Sequence, residues 1–566
     1  MPDEAITYYS DLITNAEIGM RWIEETFGSC GRPLVGWQID PFGHSRGVQK
    51  LYQKMGYDGW FIGRVDYEDY RTRTTNGEME FTWNGFWTSI NNNVYRQPNN
   101  FCWDTSCDNY RDDYNGNEFM IDDPDLVGTN IEKRLDQFLK FVEDNVNTTG
   151  YTTNHVMVTF GNDFHYTNAD KYFVSLDKLI KYLNLYRGDK YNALYSTPAC
   201  YMEAAKNAKL ESSEKNWPTY EKDFFPYCDG YWIVYEEPKN EGDKHGYWSG
   251  YYSSRSLLKS NIRSNSSLLN ACNQLETGGI VPIETTKWLR RAIGLTQHHD
   301  AVTGTEKQHV VDDYNRRLSD ASDTCLTSIS ESHDAEYNDK VMVYNSLGWP
   351  RREIIEVWGK KIQVEVPALG WKVFNKTEVD KIDDFDKFSS GKLQPNQIQN
   401  SVISASISQT GDITVTDINT QNTIKFKHQW YFYDSCHDTE DSTCQHNSGA
   451  YIFVPQNETP NAVPTDFDYF RVDETELKFN KSGVTDIQYS WVLNENNLVL
   501  EYNLGPLEVD FFNRIGKEVI TRFEIDNQSA SVLVTDTNMF GKIERDRSDI
   551  QCVNSLLKTS FTVQNW

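Results

Sequence analysis

Three polar side chains follow apolar runs at equivalent places in the first third of the sequence: Asp40 after Val35 to Ile39, Arg64 after Tyr57 to Ile62, and Asp163 after His155 to Phe160. A carboxylate at the carboxyl end of a buried strand, with the chain halted by Pro41, stands where α/β enzymes keep their chemistry. Two acids at one sheet edge are the minimum for glycoside hydrolysis, one protonating the leaving oxygen while the other attacks or activates water. Taken singly, an Asp at a strand end is more often a helix cap or turn former. A second constellation, Gln297-His298-His299-Asp300-Ala301-Val302-Thr303-Gly304-Thr305, sets two imidazoles beside a carboxylate at the expected end of a helix, with Gly304 as terminator. Imidazole and carboxylate together suit zinc and its supporting partner. Adjacent helical residues point about 100 degrees apart, so one histidine is expected to bind and the other to support.

The elements that must position these groups alternate as a parallel sheet demands. An amphipathic helix is expected over 5–27, burying Ile6, Tyr9, Ile13, Ala16, Met20, Ile23 and Phe27. Strand 35–40, helix 43–54 and strand 57–62 follow. Residues 66–125 read as a long irregular excursion tied by Cys102 and Cys107, and loops of that length usually serve as lids or specificity elements. Helix 130–145, strand 155–160, helix 169–184 and strand 192–196 complete the alternation. Near 250–276, 285–298 and 305–330 the pattern is helical, as in a bundle. From Lys340 the period becomes two, with Gly, Asn and Asp turns, which reads as a β-sandwich. The expected organisation is thus multidomain α/β, α and β: a catalytic α/β domain over 1–235, a three-helix middle domain over 236–332, and a β-sandwich over 333–566.

Composition narrows the chemistry. At 566 residues with a net charge of −28 and no basic stripe, the chain is a poor partner for nucleic acid. No apolar run is long enough to span a bilayer. Aromatic residues make up 14% of the chain, and sugar rings stack on such side chains through their C–H faces. Asn-x-Ser/Thr triplets at Asn147, Asn265, Asn375, Asn457, Asn480 and Asn527, with the close pairs Cys102/Cys107 and Cys436/Cys444, favour disulfides and a lysosomal or secretory compartment over metal-binding cysteines. Met1-Pro2-Asp3-Glu4 opens without a signal peptide, so a fragment of a longer secretory protein is expected. Oligomeric state is left open, a homo-oligomer included.

Eight motifs in order carry a resemblance: Trp37 to Ser45, Phe-Ile-Gly-Arg64, Gly-Asn-Asp163-Phe, Asp223-Phe-Phe-Pro-Tyr, Tyr247-Trp248-Ser-Gly-Tyr, His298 to Thr305, Ser448-Gly-Ala-Tyr451-Ile-Phe, and Gly516 to Phe523. Over nearly its whole length the sequence resembles the class II α-mannosidases, glycoside hydrolase family 38. The resemblance implies an incomplete (β/α) barrel-like catalytic domain in a zinc-dependent, retaining exo-mannosidase acting on mannose-containing oligosaccharides. It implies Asp40 as nucleophile and zinc ligand, His299 as a further ligand, and Asp163 as general acid/base. Arg64, Trp248, Asp300 and Tyr451 would line the mannose subsite, with Asp104 and Asp229 as weaker candidates. The family's H-x-D zinc motif and first strand align upstream of Met1, and its β-domain runs past the carboxyl end, so a chain truncated at both ends is expected. Two other readings compete: a mannose-binding pseudoenzyme and a metal-dependent carbohydrate deacetylase. The joint retention of Asp40, Asp163 and the His-His-Asp run argues against decay.

Overall fold

The computed structural model describes residues 1–92, 95–104, 107, 117–123, 125, 128–144, 150–229, 246–332, 340–382, 396–408, 410–436, 447–457, 459–463, 467–471, 476–481, 485–493, 498–507, 517–525 and 532–546. The chain opens with a largely buried, bent segment over 1–8 and then α1 (Tyr9–Phe27), β1 (Val35–Gln38), α2 (Arg46–Lys54), β2 (Gly59–Ile62), α3 (Tyr67–Asn76), β3 (Glu80–Trp83) and β4 (Phe86–Ile90). After these come α4 (Ile131–Val142), α5 (Asp170–Arg187), α6 (Pro198–Glu211) and β5 (Thr219–Tyr220). The sheet runs β1-β2-β4-β3-β5, with β1, β2 and β4 parallel and β3 antiparallel to β4. Its core holds Trp60, Phe81, Trp83 and Ile62, all fully buried. Side chains of this size each contribute roughly 1.5–3 kcal/mol on burial. Gly36 is required in β1 because a methyl group there would run into the Trp60 ring.

Several expectations need correction. The first helix begins at Tyr9 rather than Ala5, because Asp3 turns the chain by accepting from the backbone N–H groups of Ala5 and Ile6 at 2.9 and 2.7 Å. It buries Asp11 and Leu12 and half-buries Ala16, Met20 and Ile23 as expected, while Ile13 and Phe27 are exposed. The stretch 66–125 is not one irregular excursion. Asp66 caps α3 by accepting from Glu68 and Asp69, and β3 and β4 form a hairpin about Asn84 and Gly85, both at positive φ. An Asn-Gly pair between apolar runs is the strongest short hairpin signal. Conversely, 155–160 and 192–196 carry no ladder. The first is held instead by Thr159 donating to the Arg96 carbonyl at 3.1 Å and by Gln97 N–H donating to Gly161 at 3.2 Å. Alternation predicts a strand only where a partner exists to pair with it, and among the described residues β1 pairs with β2 alone. Among the described residues the sheet ends at β1 on one side and at β5 on the other.

Three helices follow, α7 (Ser256–Thr277), α8 (Lys287–Thr296) and α9 (Gln308–Ser332), close to expectation. A disulfide from Cys272 to Cys325 ties α7 to α9; it joins residues 53 apart, and spacing gave no hint of it. Cys102–Cys107 forms as expected, and Cys436 is disulfide-bonded while Cys444 lies outside the described residues. The bundle core does not stop at the helices, because Ile6, Phe42 and Tyr227 from the α/β part pack into it. Beyond 340, two short antiparallel pairs enclose a small core of Ile362, Val364 and Phe374. A five-stranded path over Gln397–Ala462, made six-stranded by Lys517–Ile525, then faces a four-stranded sheet over Asp468–Leu507. Ile398, Trp430, Phe479 and Trp491 from the two sheets share one core, as in a sandwich. Among the described residues, no helix is long and apolar enough to cross a membrane.

Glu80 in β3 is buried, and its pKa is pushed up to about 7 by desolvation, against the lowering effect of the Tyr201 hydroxyl and Lys209. Asp11 is raised to about 6 by the same cause. A raised folded-state pKa gives stability that is complete below the unfolded value and lost as pH rises through the folded one. The melting temperature should therefore fall by several degrees between pH about 4.5 and 7.5, and Glu80→Gln should flatten part of that fall. Thermal melts of both proteins across that range check the slope.

Candidate active site

Parallel register places the first pair. Gln38 lies beside Ile62, and continuing that register two residues brings Asp40 beside Arg64. Arg64 Nε donates to Asp40 Oδ1 at 2.7 Å and to the Asp40 carbonyl at 3.0 Å, and Nη2 lies 2.5 Å from the same carboxylate oxygen. The guanidinium also sits over the rings of Trp248 and Phe42, 5.1 and 5.8 Å from their centroids. This anchors Arg64 by cation–π attraction as well as charge.

The other carboxylate oxygen faces the helical domain. Asp40 Oδ2 is 3.1 Å from His299 Nε2. The His-His-Asp run is not on a helix as expected: α8 ends at Thr296, and 297–304 form turns, with Gly304 at φ 81°. His299 Nδ1 is 2.8 Å from the Met1 carbonyl, which accepts its proton and so directs Nε2 at Asp40. Burial pulls the His299 imidazole down, but the hydrogen bond and charge of Asp40, the Met1 carbonyl and Asp300 outweigh it and raise its pKa above the ordinary value. Burial likewise pushes Asp40 up, yet the His299 hydrogen bond and the Arg64 charge hold it well below the usual carboxylate range. Asp300 Oδ2 is 3.7 Å from His299 Nε2 and 3.4 Å from His298 Nε2, while its Oδ1 accepts from Thr305 at 2.7 Å.

With Nδ1–H committed to Met1, a neutral His299 would turn a lone pair toward a carboxylate, so the gap calls for positive charge. A proton supplies it in the bare protein, and a zinc ion also fits. Two ligands on a tetrahedral ion with bonds of about 2.0 Å stand about 3.3 Å apart, close to the separation seen here. His298, His299 and Asp300 together offer ligand atoms within 4.8 Å of one another. The other such cluster among the described residues, Cys102, Cys107 and His165, has its two sulfurs in a disulfide.

An aromatic wall closes one side. The ring of Phe42 lies 4.9 Å from that of Trp248 and 5.5 Å from that of Tyr451, and Trp248 and Tyr451 are 5.2 Å apart. Gly250 N–H donates to the Tyr451 carbonyl at 3.1 Å, so the β-domain delivers Tyr451 to the site. Asp163 sits in an exposed turn rather than at a strand end. Tyr95 donates to it and also feels the charges of Asp40 and Arg64, which links both acids to one neighbourhood. Asp104 is committed elsewhere, accepting from Tyr166 N–H at 2.8 Å beside the Cys102–Cys107 bridge. Asp229 stands next to the residues outside the description, within the field of Tyr227. Sequence reading missed Phe42, Tyr95, Tyr227 and the Met1 carbonyl. Phe42 and Tyr227 had a visible signal, each being an aromatic inside a quoted motif, Trp37 to Ser45 and Asp223-Phe-Phe-Pro-Tyr.

The site is thus an acid shared between a cation and an imidazole beside an aromatic wall, on an α/β sheet backed by helices and a β-domain. Residues 1–230 match the Glycosyl hydrolases family 38 N-terminal domain, 246–335 the Alpha mannosidase middle domain, and 398–553 the Glycosyl hydrolases family 38 C-terminal domain. The chain belongs to glycosyl hydrolases family 38. It is 31% identical to lysosomal alpha-mannosidase of Cavia porcellus over 97% of this chain and 59% of that protein, and 30% identical to that of Homo sapiens over the same shares. An alpha-mannosidase of Canavalia ensiformis is 29% identical over 95% of this chain and 62% of its own length. The chain thus spans about 59% of the lysosomal relatives' length. An alpha-mannosidase structure from Enterococcus faecalis V583 shares the fold, with TM-score 0.64 and 14% identity, over 97% of this chain and 68% of that one.

Tyr251 donates its hydroxyl to the Phe42 carbonyl at 2.8 Å inside the bundle core. Tyr251→Phe leaves that buried carbonyl without its donor and should cost about 1–3 kcal/mol. Urea unfolding of the two proteins measures the difference.

Proposed function

We propose that this site hydrolyses terminal α-mannosyl residues of N-glycan oligosaccharides with retention of configuration. The observation that carries the reading is the Asp40 carboxylate held between Arg64 and His299, with one oxygen committed to each. The naming of the similar proteins as alpha-mannosidases supports the choice of sugar. Asp40 is the nucleophile, kept ionised by Arg64 so that it attacks the anomeric carbon and forms a glycosyl ester. Asp163 gives its proton to the departing oxygen and then takes one from the incoming water. Trp248, Phe42 and Tyr451 stack on the ring and exclude solvent, while Asp300, fixed by Thr305, accepts from sugar hydroxyls. Asp40 and His299 would hold a zinc ion, which when bound supplies Lewis-acid anchoring of sugar hydroxyls. Disulfides Cys102–Cys107 and Cys272–Cys325 support an oxidising compartment, the lysosome or secretory pathway.

Release of 4-nitrophenol from its α-mannoside at pH about 4 to 5, together with zinc analysis, tests the reading. Turnover with bound zinc is expected; zinc binding without cleavage of any α-mannoside contradicts it. Asp40→Asn should lower turnover at least roughly a thousand-fold. Asp163→Asn should slow a poor leaving group such as methanol far more than 4-nitrophenol, which departs without protonation. Equal losses on both substrates would remove Asp163 from the acid/base role.

A further inference from the structure

The segment ahead of α1 is among the most deeply buried parts of the molecule: Pro2, Asp3, Glu4, Ile6 and Thr7 are all inside. It reaches three parts of the protein at once. Pro2 bridges His298, Asp3 N–H donates to the Gln297 carbonyl at 2.8 Å, and Met1 accepts from both the backbone N–H and Nδ1 of His299, at 3.2 and 2.8 Å. Asn538, at the tip of the hairpin Val532–Thr537/Gly541–Asp546, donates to the Glu4 and Thr7 carbonyls at 2.9 Å each. Ser45 donates to Asn538 Oδ1 at 2.6 Å, and Gly47 leaves room for Thr537 against the start of α2.

At the centre stands Glu4, whose side chain and that of His44 are 0% exposed. Its Oε1 is 2.9 Å from His44 Nδ1 and accepts from Gln38 Nε2 at 3.1 Å, and its Oε2 accepts from Ser45 N–H at 2.7 Å. Gln38 Nε2 also donates to the Pro2 carbonyl at 2.9 Å. One carboxylate therefore grips the chain two residues before Asp40 and again four and five residues after it. Through Gln38 and Pro2 it fixes the same backbone whose Met1 carbonyl orients His299.

We infer that Glu4 is a positioning residue for the reaction proposed above, on which this inference rests: it clamps both ends of the Asp40 loop and, through Met1–Pro2, sets the direction in which His299 presents Nε2. It touches neither substrate nor reacting atoms. Near-attack geometry is sensitive on this scale, since a displacement of about 1 Å can cost about a hundred-fold in rate. A carboxylate lost from this place leaves three buried donors unpaired and frees the loop.

The experiment compares wild type, Glu4→Ala and Glu4→Gln by turnover of the aryl α-mannoside and by nitrogen NMR of histidine-labelled protein, with the His299 signals assigned by their absence in His299→Gln. Wild type should show His299 as Nδ1–H donor. Glu4→Ala should lower kcat roughly 10- to 100-fold with KM within about three-fold, and its His299 Nδ1 signal should shift as the hydrogen bond to the Met1 carbonyl loosens. Glu4→Gln, which keeps the shape and one acceptor oxygen but sets its NH2 against either Ser45 N–H or the Gln38 amide, should recover part of both. Unchanged His299 signals in a folded Glu4→Ala protein overturn the inference whatever the activity. So does a loss that appears as raised KM or as a general collapse of all histidine signals that Glu4→Gln does not relieve. Absence of α-mannoside turnover in wild type defeats the mannosidase reading instead, and the comparison of His299 signals still decides the role of Glu4.

Discussion

The site depends on one divided carboxylate. Asp40 gives Oδ1 to Arg64, carried on the neighbouring strand, and Oδ2 to His299, carried on the turn after α8. The two partners come from different parts of the chain, so this pairing exists only when sheet and helices are docked. The core reflects this: Phe42, two residues after Asp40, is buried among the bundle residues Leu289, Ile293 and Val302. Packing of one aromatic ring and pairing of one carboxylate are thus two aspects of one contact. Placing the acid in a partly desolvated setting strengthens both pairings, because charge interactions grow as water is removed.

Part of this arrangement was legible from residue patterns. The pairing of Asp40 with Arg64 follows from two apolar strands of similar length joined by a helix, which makes them parallel and nearly in register. The three helices of the middle part and the period-two strands beyond 340 were readable for the same reason, strong local periodicity. What escaped was whatever depends on a distant partner. His299 meets Asp40 across 259 positions, and only the family resemblance, not spacing, connects them. Residues 5–8 look like the start of an amphipathic helix, yet with Asp3 and Glu4 buried the chain makes a non-helical bend there. Polar residues buried by partners elsewhere give no local pattern to read. The unladdered stretch 155–160 shows the same limit in reverse, with good alternation and no strand beside it.

The β-domain is more than an appendage. Tyr451 arrives at the aromatic wall through a backbone contact with Gly250, and Asn538 seals the segment ahead of α1 from the other side. Three separate regions therefore converge within a few residues of Asp40. Convergence of this kind makes the acid's position a property of the assembled chain rather than of its own loop.

The most direct test of the central claim is to find where the sugar becomes attached. A fluorinated mannosyl fluoride that forms the glycosyl ester quickly and releases it slowly, followed by peptide mass spectrometry, reports the nucleophile itself. The account predicts one added mannosyl group on the peptide bearing Asp40, with none when Asp40 is replaced by Asn. A label on another carboxylate, or hydrolysis of the reagent with inversion and no label, would contradict it.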